Sequence, residues 1–279
     1  MAALCSASDG GGLEAPLLLR REAARCLHRY HALGELVAFS AREPDKDGPN
    51  QDGLALLPVG EAALVLVVAD GAGGGPAGEE AARIALSRLR AALAVPGVDL
   101  REAMLDGIEA ANADILAGGS GATTTLAAVS LEGGARGVRL RPYHVGDAQV
   151  LVCGQRGRIR LETLAHAPVA YGVEAGLLDA GEALIHEERH LVSNILGSRE
   201  MRIELGAPLR LAARDTVVVA SDGLFDNLHL EEVVEAMRKG PLPAAAARLA
   251  AQARARMAGT AADTPGKPDD LSFVLFRPG

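Results

Sequence analysis

The sequence predicts an α+β sandwich, and three observations carry that expectation. Short strand-like runs in the middle of the chain are separated by glycine-rich turns, as in GGARG at 133–137 and CGQRG at 153–157. That pattern marks antiparallel β structure. A pair of helical patterns precedes these runs, and a second pair follows them. Single apolar runs stand before the first helix pair and after the last. Strand, helices, strands, helices and strand fit stacked layers better than a βαβ repeat. With 279 residues, 49% of them hydrophobic, the chain can bury a sizeable core. It reads as one domain over 1–279, with a glycine-rich tail over about 1–13 expected to be mobile.

Each element has its own signal. Residues 40–53 are polar and read as a loop. Glu61–Ala69 is a short apolar run ending at Asp-Gly, as a buried strand would. Pro76 then opens a helix, with Glu79 and Glu80 in its first turn to complement the dipole. That helix runs to about Leu93, and a second spans Leu100–Leu116. Strands are expected at Thr123–Leu131, Val138–His144, Gln149–Cys153, Arg158–Thr163, Leu184–Glu188 and Thr216–Ala220. Glu231–Arg238 and Ala244–Met257 read as helices with Ala and Leu at core-packing spacing. A Pro/Gly loop over 258–268 leads to a closing strand, Leu271–Phe276.

Composition removes several function classes. The net charge is −8 and aromatics make up 3% of the chain, and no basic stripe is present, so a nucleic-acid surface is not expected. The longest apolar run, Ala62–Ala69, is far too short to span a bilayer. Near the N-terminus the charges follow a leucine patch, the reverse of a secretory signal. Cys5, Cys26 and Cys153 form no CxxC pair, and neither a zinc site nor a disulfide framework is indicated. A soluble, cytoplasmic, monomeric protein is expected.

The chemistry lies in four aspartates at the edges of strands: Asp70, Asp147, Asp222 and Asp269. A carboxylate at a buried strand end is costly unless a positive charge meets it. Convergence on divalent metal would answer that cost for all of them at once. Oxygen donors without His or Cys select hard cations such as Mg²⁺ and Mn²⁺. Gly71 and Gly223 follow two of these aspartates and let a backbone carbonyl approach an ion closely. Two ions bridged by one aspartate can hold a hydroxide that attacks phosphorus. Taken singly, each Asp-Gly is also an ordinary turn signal. Gly73, Gly75 and Gly78 fit G-x-G-x-x-G, but Asp99, at the right distance for a ribose-binding acid, does not end a strand. Asp70 would also repel a pyrophosphate. Ser221 sits in no nucleophile elbow. His144 reads as a packed or surface histidine rather than a ligand.

In chain order, these segments resemble the motifs of the metal-dependent serine/threonine protein phosphatases of type 2C, in a bacterial form. Asn50-Gln51-Asp52 is similar to the family's Asn-Glu-Asp opening. VVADGAGGGPAG is similar to its Asp-Gly-x-Gly-Gly turn, SGATTTLAAV to its Gly-x-Thr strand, and HVGDAQVLV to its Gly-Asp-Ser element. VVVASDGLFDN and PDDLSFVLF are similar to its last two motifs. The resemblance covers about residues 37–276. It implies two stacked antiparallel β-sheets flanked by helix pairs, a four-layer αββα sandwich. It implies hydrolysis of phosphoserine and phosphothreonine in proteins, such as those phosphorylated by a cognate serine/threonine kinase. Asp70, Asp222 and Asp52 would be catalytic. Asp70 would bridge two Mn²⁺ or Mg²⁺ ions, Asp222 and Asp269 would complete the first, and the Gly71 carbonyl would hold the second. Asp52 and Gln51 would act through water. Asp147 with Asp222 would hold a third, weaker ion, and Asp270 takes the usual Asn position.

Two departures from the family pattern stand out. Ala72 and Gly75 occupy places where many members carry a His. Asp47 occupies the place of a phosphate-gripping Arg and would repel the anion. Arg42 is the expected substitute because its planar fork suits two phosphate oxygens. Lys46 is the point-charge alternative, and either can be an ordinary surface charge. These departures leave open a second reading, a phosphatase-like fold kept as a regulatory or binding module. The segment of about 165–199 is the candidate flap.

Overall fold

Alternation along the strands builds this molecule. A computed structural model describes residues 11–19, 25–73, 76–260 and 266–279. The elements are, in order, β1 (Gly11–Gly12), β2 (Leu17–Leu19), β3 (Arg25–His31), β4 (Gly34–Ala41), β5 (Asp52–Val59) and β6 (Ala63–Ala72). Helices α1 (Pro76–Leu93) and α2 (Leu100–Gly118) follow, then β7 (Thr123–Thr124), β8 (Leu126–Gly134), β9 (Gly137–Val145), β10 (Gln149–Cys153) and β11 (Ile159–Glu162). Next come α3 (Pro168–Glu174), α4 (Ala180–Ile185), β12 (Glu204–Leu205), β13 (Leu209–Arg210) and β14 (Thr216–Ala220). The chain ends with α5 (Asp222–Phe225), α6 (Leu230–Met237), α7 (Leu242–Met257) and β15 (Leu271–Pro278).

One sheet has the order β1-β3-β4-β15-β14-β10-β11, and the other β12-β9-β8-β6-β5-β2, with β13 on β9 and β7 on β6. Pairing is antiparallel except for the edge pair β1 and β3. Leu54, Leu56, Leu66, Val68 and Val129 of one sheet pack against Val150, Val217, Val219 and Phe276 of the other. The intervening residues point outward under helices. Ala55, Val65 and Val67 lie under α1 and α2, and Val218, Phe273 and Leu275 lie under α6 and α7. Central strands are therefore buried on both faces, which is why they read as continuous apolar runs. Alanines on the helices permit the close approach: Ala81, Ala82 and Ala85 on α1, and Ala245, Ala246 and Ala250 on α7. The result is the αββα sandwich expected from the sequence.

Some expectations need correction. Leu184–Glu188 is not a strand; α4 covers Ala180–Ile185. Asp179 caps that helix in a reciprocal capping box with Glu182, a D-x-x-E signal that outweighs two adjacent apolar residues. The tail does not extend over Gly11–Leu13: β1 pairs with β3, and the Leu13 N–H donates to the Tyr30 carbonyl at 2.8 Å. Residues 1–10 of that tail lie outside the described residues. The hairpin β3–β4 and strand β5 were not anticipated. Cys26 is disulfide-bonded, against expectation, while Cys153 is buried and free. Among the described residues no helix is long and apolar enough to cross a membrane.

The glycines after β6 have a steric purpose. A Cβ on Gly71 would lie 2.1 Å from the Gly78 carbonyl oxygen, and one on Gly78 would lie 2.7 Å from Gly71 backbone atoms. Strand end and helix start are in direct backbone contact, which sets the position of Asp70. Gly78→Ala should therefore destabilise the protein by about 1–3 kcal/mol through overpacking. On α2, a Cβ added to Gly118 would meet nothing within 4 Å. Gly118→Ala should be neutral or stabilising by up to ~1 kcal/mol. Urea denaturation of both variants checks the contrast, and equal effects would refute it.

Candidate metal centre

Asp52 and Asp70 are direct cross-strand partners on β5 and β6. Like charges in that position repel. The second sheet contributes from the same end. Antiparallel pairing of Ala220 with Phe273 and of Gln149 with Ala220 brings together the end of β14, the start of β15 and the turn before β10. Asp222, Asp269 and Asp147 sit at those three places. The structure thus gathers all four strand-edge aspartates, with Asp52, at one end of the sandwich.

Their protonation reports the crowding. Burial first, and neighbouring carboxylates second, push Asp52 and Asp70 well above the usual carboxylate range. Burial with Asp222 and Asp226 pushes Asp147 up to about 8, and burial with Asp222 pushes Asp269 to about 7. Asp222 is the exception. Burial opposes its charge, but the Lys267 ammonium, 2.6 Å from Asp222 Oδ2, holds it below its ordinary value. Asp52 Oδ1 and Asp222 Oδ1 are buried without a hydrogen-bond partner. An oxygen-only donor set with unpartnered buried oxygens fits a hard divalent cation.

A polar seam supports the cluster. Ser221 Oγ donates to Asp52 Oδ2 at 2.9 Å and accepts from the Ser272 N–H at 3.1 Å. Ser272 Oγ donates to Ser40 Oγ at 2.9 Å, and Asn50 Nδ2 donates to the same Ser40 Oγ at 3.1 Å. Asn50 Oδ1 accepts from the Asp52 N–H at 2.9 Å. The Asp70 carbonyl accepts from Thr124 Oγ1 and the Thr125 N–H, both at 2.8 Å. Ser221 is thus a bracket for Asp52.

The loop before β5 is organised by Asp270. Its carboxylate accepts from the Glu43 and Gln51 N–H groups at 2.8 and 2.7 Å and from Lys46 Nζ at 2.7 Å. Lys46 also donates to Gln51 Oε1 at 3.1 Å. Arg42 instead donates to the Gly48 carbonyl at 2.9 Å within its own loop, and Asp47 is exposed. Of the two loop cations, Lys46 is the one held against the acidic end. Ala72 is exposed at the turn, and Gly75 lies outside the described residues. His144 is packed, as expected: it is 1% exposed, stacks on His166 and bonds the Leu164 carbonyl.

Two participants were missed in the sequence. Asp226 lies one helical turn beyond Asp222, a spacing that puts both carboxylates on one face. Lys267 reaches into the cluster, with Nζ 2.6 Å from Asp222 Oδ2, 2.8 Å from Asp226 Oδ2 and 3.2 Å from Asp269 Oδ2. A lone basic residue beside Asp269-Asp270 was the available signal. Beside the cluster, a cavity of about 240 Å³ runs from Asp147, Asp222 and Asp226 to Val173, Leu184 and Arg189 beneath α3 and α4. The segment carrying those helices is fastened at both ends. His166 Nδ1 accepts from the Gly146 N–H and Asn194 Nδ2, and Leu196 bridges to Thr124.

Known proteins share this fold and stretches of this sequence. The profile described as protein phosphatase 2C matches residues 43–257. The chain belongs to the protein phosphatase 2C family. It is 31% identical over 199 residues to the serine/threonine protein phosphatase PstP of Mycobacterium tuberculosis. That match takes in 67% of this chain and 37% of the relative, so the chain spans little more than a third of the curated relative's length. The catalytic domain of PstP, solved in complex with two manganese ions, superimposes with a TM-score of 0.69 at 26% identity, covering 88% of this chain and 98% of that one. The serine/threonine phosphatase of S. agalactiae gives 0.74 at 25% identity, with 88% and 99% covered. The protein phosphatase 2C match includes Asp52, Asp70, Asp147 and Asp222 and ends before Lys267 and Asp269.

The raised carboxylates give a pH dependence whose sign is fixed. Between pH 6.5 and 8 the unfolded chain has ionised its aspartates, whereas folded Asp147 and Asp269 still bind protons. The folded state binds more protons, so stability falls as pH rises through this window. His144, lowered to about 4, is neutral in both states by the upper half of the window and does not oppose the trend. In chelator the melting temperature should drop by on the order of 3 °C per pH unit. Saturating Mn²⁺ should flatten the slope. A melting temperature that rises with pH in chelator would contradict the assignment.

Proposed function

We propose that this chain hydrolyses phosphoserine and phosphothreonine in proteins, using divalent cations held by its aspartate cluster. The carrying observation is the pair of unpartnered buried oxygens, Asp52 Oδ1 and Asp222 Oδ1, within an all-oxygen donor set. Such oxygens are costly to leave bare. On this reading Asp70, Asp222, Asp269 and the Gly71 carbonyl would hold two Mn²⁺ or Mg²⁺ ions. Asp52 and Gln51 act through water. When bound, the ions supply charge to the phosphoryl oxygens and activate water at neutral pH.

The remaining work falls to the chain. Ser221 engages one oxygen of Asp52 and leaves the other without a hydrogen bond. Thr124 and Thr125 hold the Asp70 backbone. Asp270 holds Lys46 at the edge where a phosphate dianion would approach. The contact between Lys46 and Asp270 supports giving the orienting role to Lys46 in place of Arg42, whose guanidinium is engaged by Gly48. Substrates are phosphorylated proteins, those of a cognate serine/threonine kinase first. PstP and its structural relatives carry the name serine/threonine phosphatase, which supports the same substrate class.

Hydrolysis of p-nitrophenyl phosphate and of a phosphothreonine peptide should vanish after exhaustive chelation and return with Mn²⁺. Asp222→Asn should lower kcat by more than about 100-fold with the fold retained by circular dichroism. Activity that survives chelation would overturn the mechanism. Mn²⁺ binding without turnover in the parent would instead favour the regulatory-module reading. In a separate comparison, Lys46→Met should raise KM for the peptide about 5–10-fold with a smaller change in kcat. Unchanged KM would remove Lys46 from phosphate orientation.

A further inference from the structure

We infer that the Lys267 ammonium is a tethered cation standing in for a third divalent ion, so that this chain's acidic centre holds two exchangeable ions and one covalently attached charge. The inference rests on the divalent-cation reading above and concerns how many ions the centre takes.

Three observations support it. An ammonium has three N–H donors and no acceptor. Lys267 donates to Asp222 Oδ2 and Asp226 Oδ2 at 2.6 and 2.8 Å and pairs with Asp269 Oδ2 at 3.2 Å. Two of these carboxylates, Asp222 and Asp226, share the cavity lining with Asp147, where a weak third ion is expected from the sequence. Divalent ions of this class sit about 2.0–2.6 Å from their oxygens, so an ion in the same cradle would have to evict the ammonium.

The tether is built. The Lys267 N–H donates to Asn227 Oδ1 at 2.9 Å, and its carbonyl accepts from Asn227 Nδ2 at 2.9 Å. Asn227 is fully buried and also donates to the Gly223 carbonyl at 3.0 Å. Arg256 Nη1 donates to the Asn227 carbonyl at 2.6 Å. The backbone of Lys267 is thus clamped to the same helical turn that carries Asp222 and Asp226. Its side chain is 20% exposed, so the charge is largely removed from competing water.

Finally, the oxygens are divided between cations. Asp222 gives Oδ2 to Lys267, while Oδ1 stays buried and unpartnered. Asp269 gives Oδ2 to Lys267, and its Oδ1 accepts from the Asp270 N–H at 2.9 Å. Asp222 can therefore face an exchangeable ion on one side and the fixed ammonium on the other. A tethered charge does not wash out on dilution, so the function of a third ion would no longer depend on free metal concentration.

Calorimetric titration with Mn²⁺, with bound metal counted after equilibrium dialysis, tests this on the full chain. The parent should bind two ions. Lys267→Met should bind three, the added one more weakly, and Lys267→Arg should return to two. Asp226→Asn alone should leave the parent's count at two, and added to Lys267→Met it should remove the third ion. Three ions in the parent, or an unchanged count and affinity in a folded Lys267→Met, would overturn the inference. If Lys267→Met does not fold, loss of an ion on Asp226→Asn alone would overturn it, and retention of two would support it. No binding by parent and Lys267→Met alike would overturn the divalent-cation reading itself, and this inference with it.

Discussion

Repulsion among buried carboxylates is the constraint around which this protein is arranged. Asp52 and Asp70 face each other across β5 and β6, and Asp147, Asp222 and Asp269 arrive from the opposite sheet. No folding advantage comes from gathering acids at the end of a core. The sandwich must be stable enough elsewhere to tolerate them. The three apolar layers provide that reserve, since each fully buried Leu or Val is worth about 1.5–3 kcal/mol, and the central strands bury both faces.

The two sheets are joined at this end by polar contacts and not by apolar ones alone. Ser40 and Ser272 lie on neighbouring strands of one sheet, and Ser221 carries their hydrogen bonding across to Asp52 of the other. Small hydroxyls suit the place because they satisfy buried oxygens without bulk. Relative displacement of the sheets would therefore break hydrogen bonds at the acidic centre first. Backbone contact between Gly71 and Gly78 does the same for α1. Positioning of the carboxylates is a property of the layers, not of a loop.

Much of this was legible in the sequence because it is written in local signals. Pro76 opens α1 where expected, and Thr216–Ala220 is a strand to the residue. The strand-edge aspartates on one sheet converge because β14 ends at the edge where β10 and β15 begin. What escaped was of two kinds. The β3–β4 hairpin hides in mixed sequence, since His28, Arg29 and Glu35 interrupt its alternation and the His28–Glu35 pair forms only across the folded hairpin. Lys267 and Asp226 escaped because their meaning is a contact of 2.8 Å between residues far apart in the chain. Asp270 was given a position but no role; its grip on Glu43, Lys46 and Gln51 depends on a loop path that no spacing encodes. Two adjacent apolar residues at Leu184 and Ile185 suggested a strand where no partner strand exists among the described residues.

The segment bearing α3 and α4 touches the scaffold chiefly at its ends, through His166 and Leu196. Its outer face carries Tyr171, Leu177, Ile185 and Leu191, all exposed. None of these side chains contributes to the three cores. Sequence change on that face is consequently almost free of cost to folding, whereas change at the carboxylates or glycines is not. The one can vary while the other cannot, so the outer face and the acidic centre beneath it answer to separate constraints.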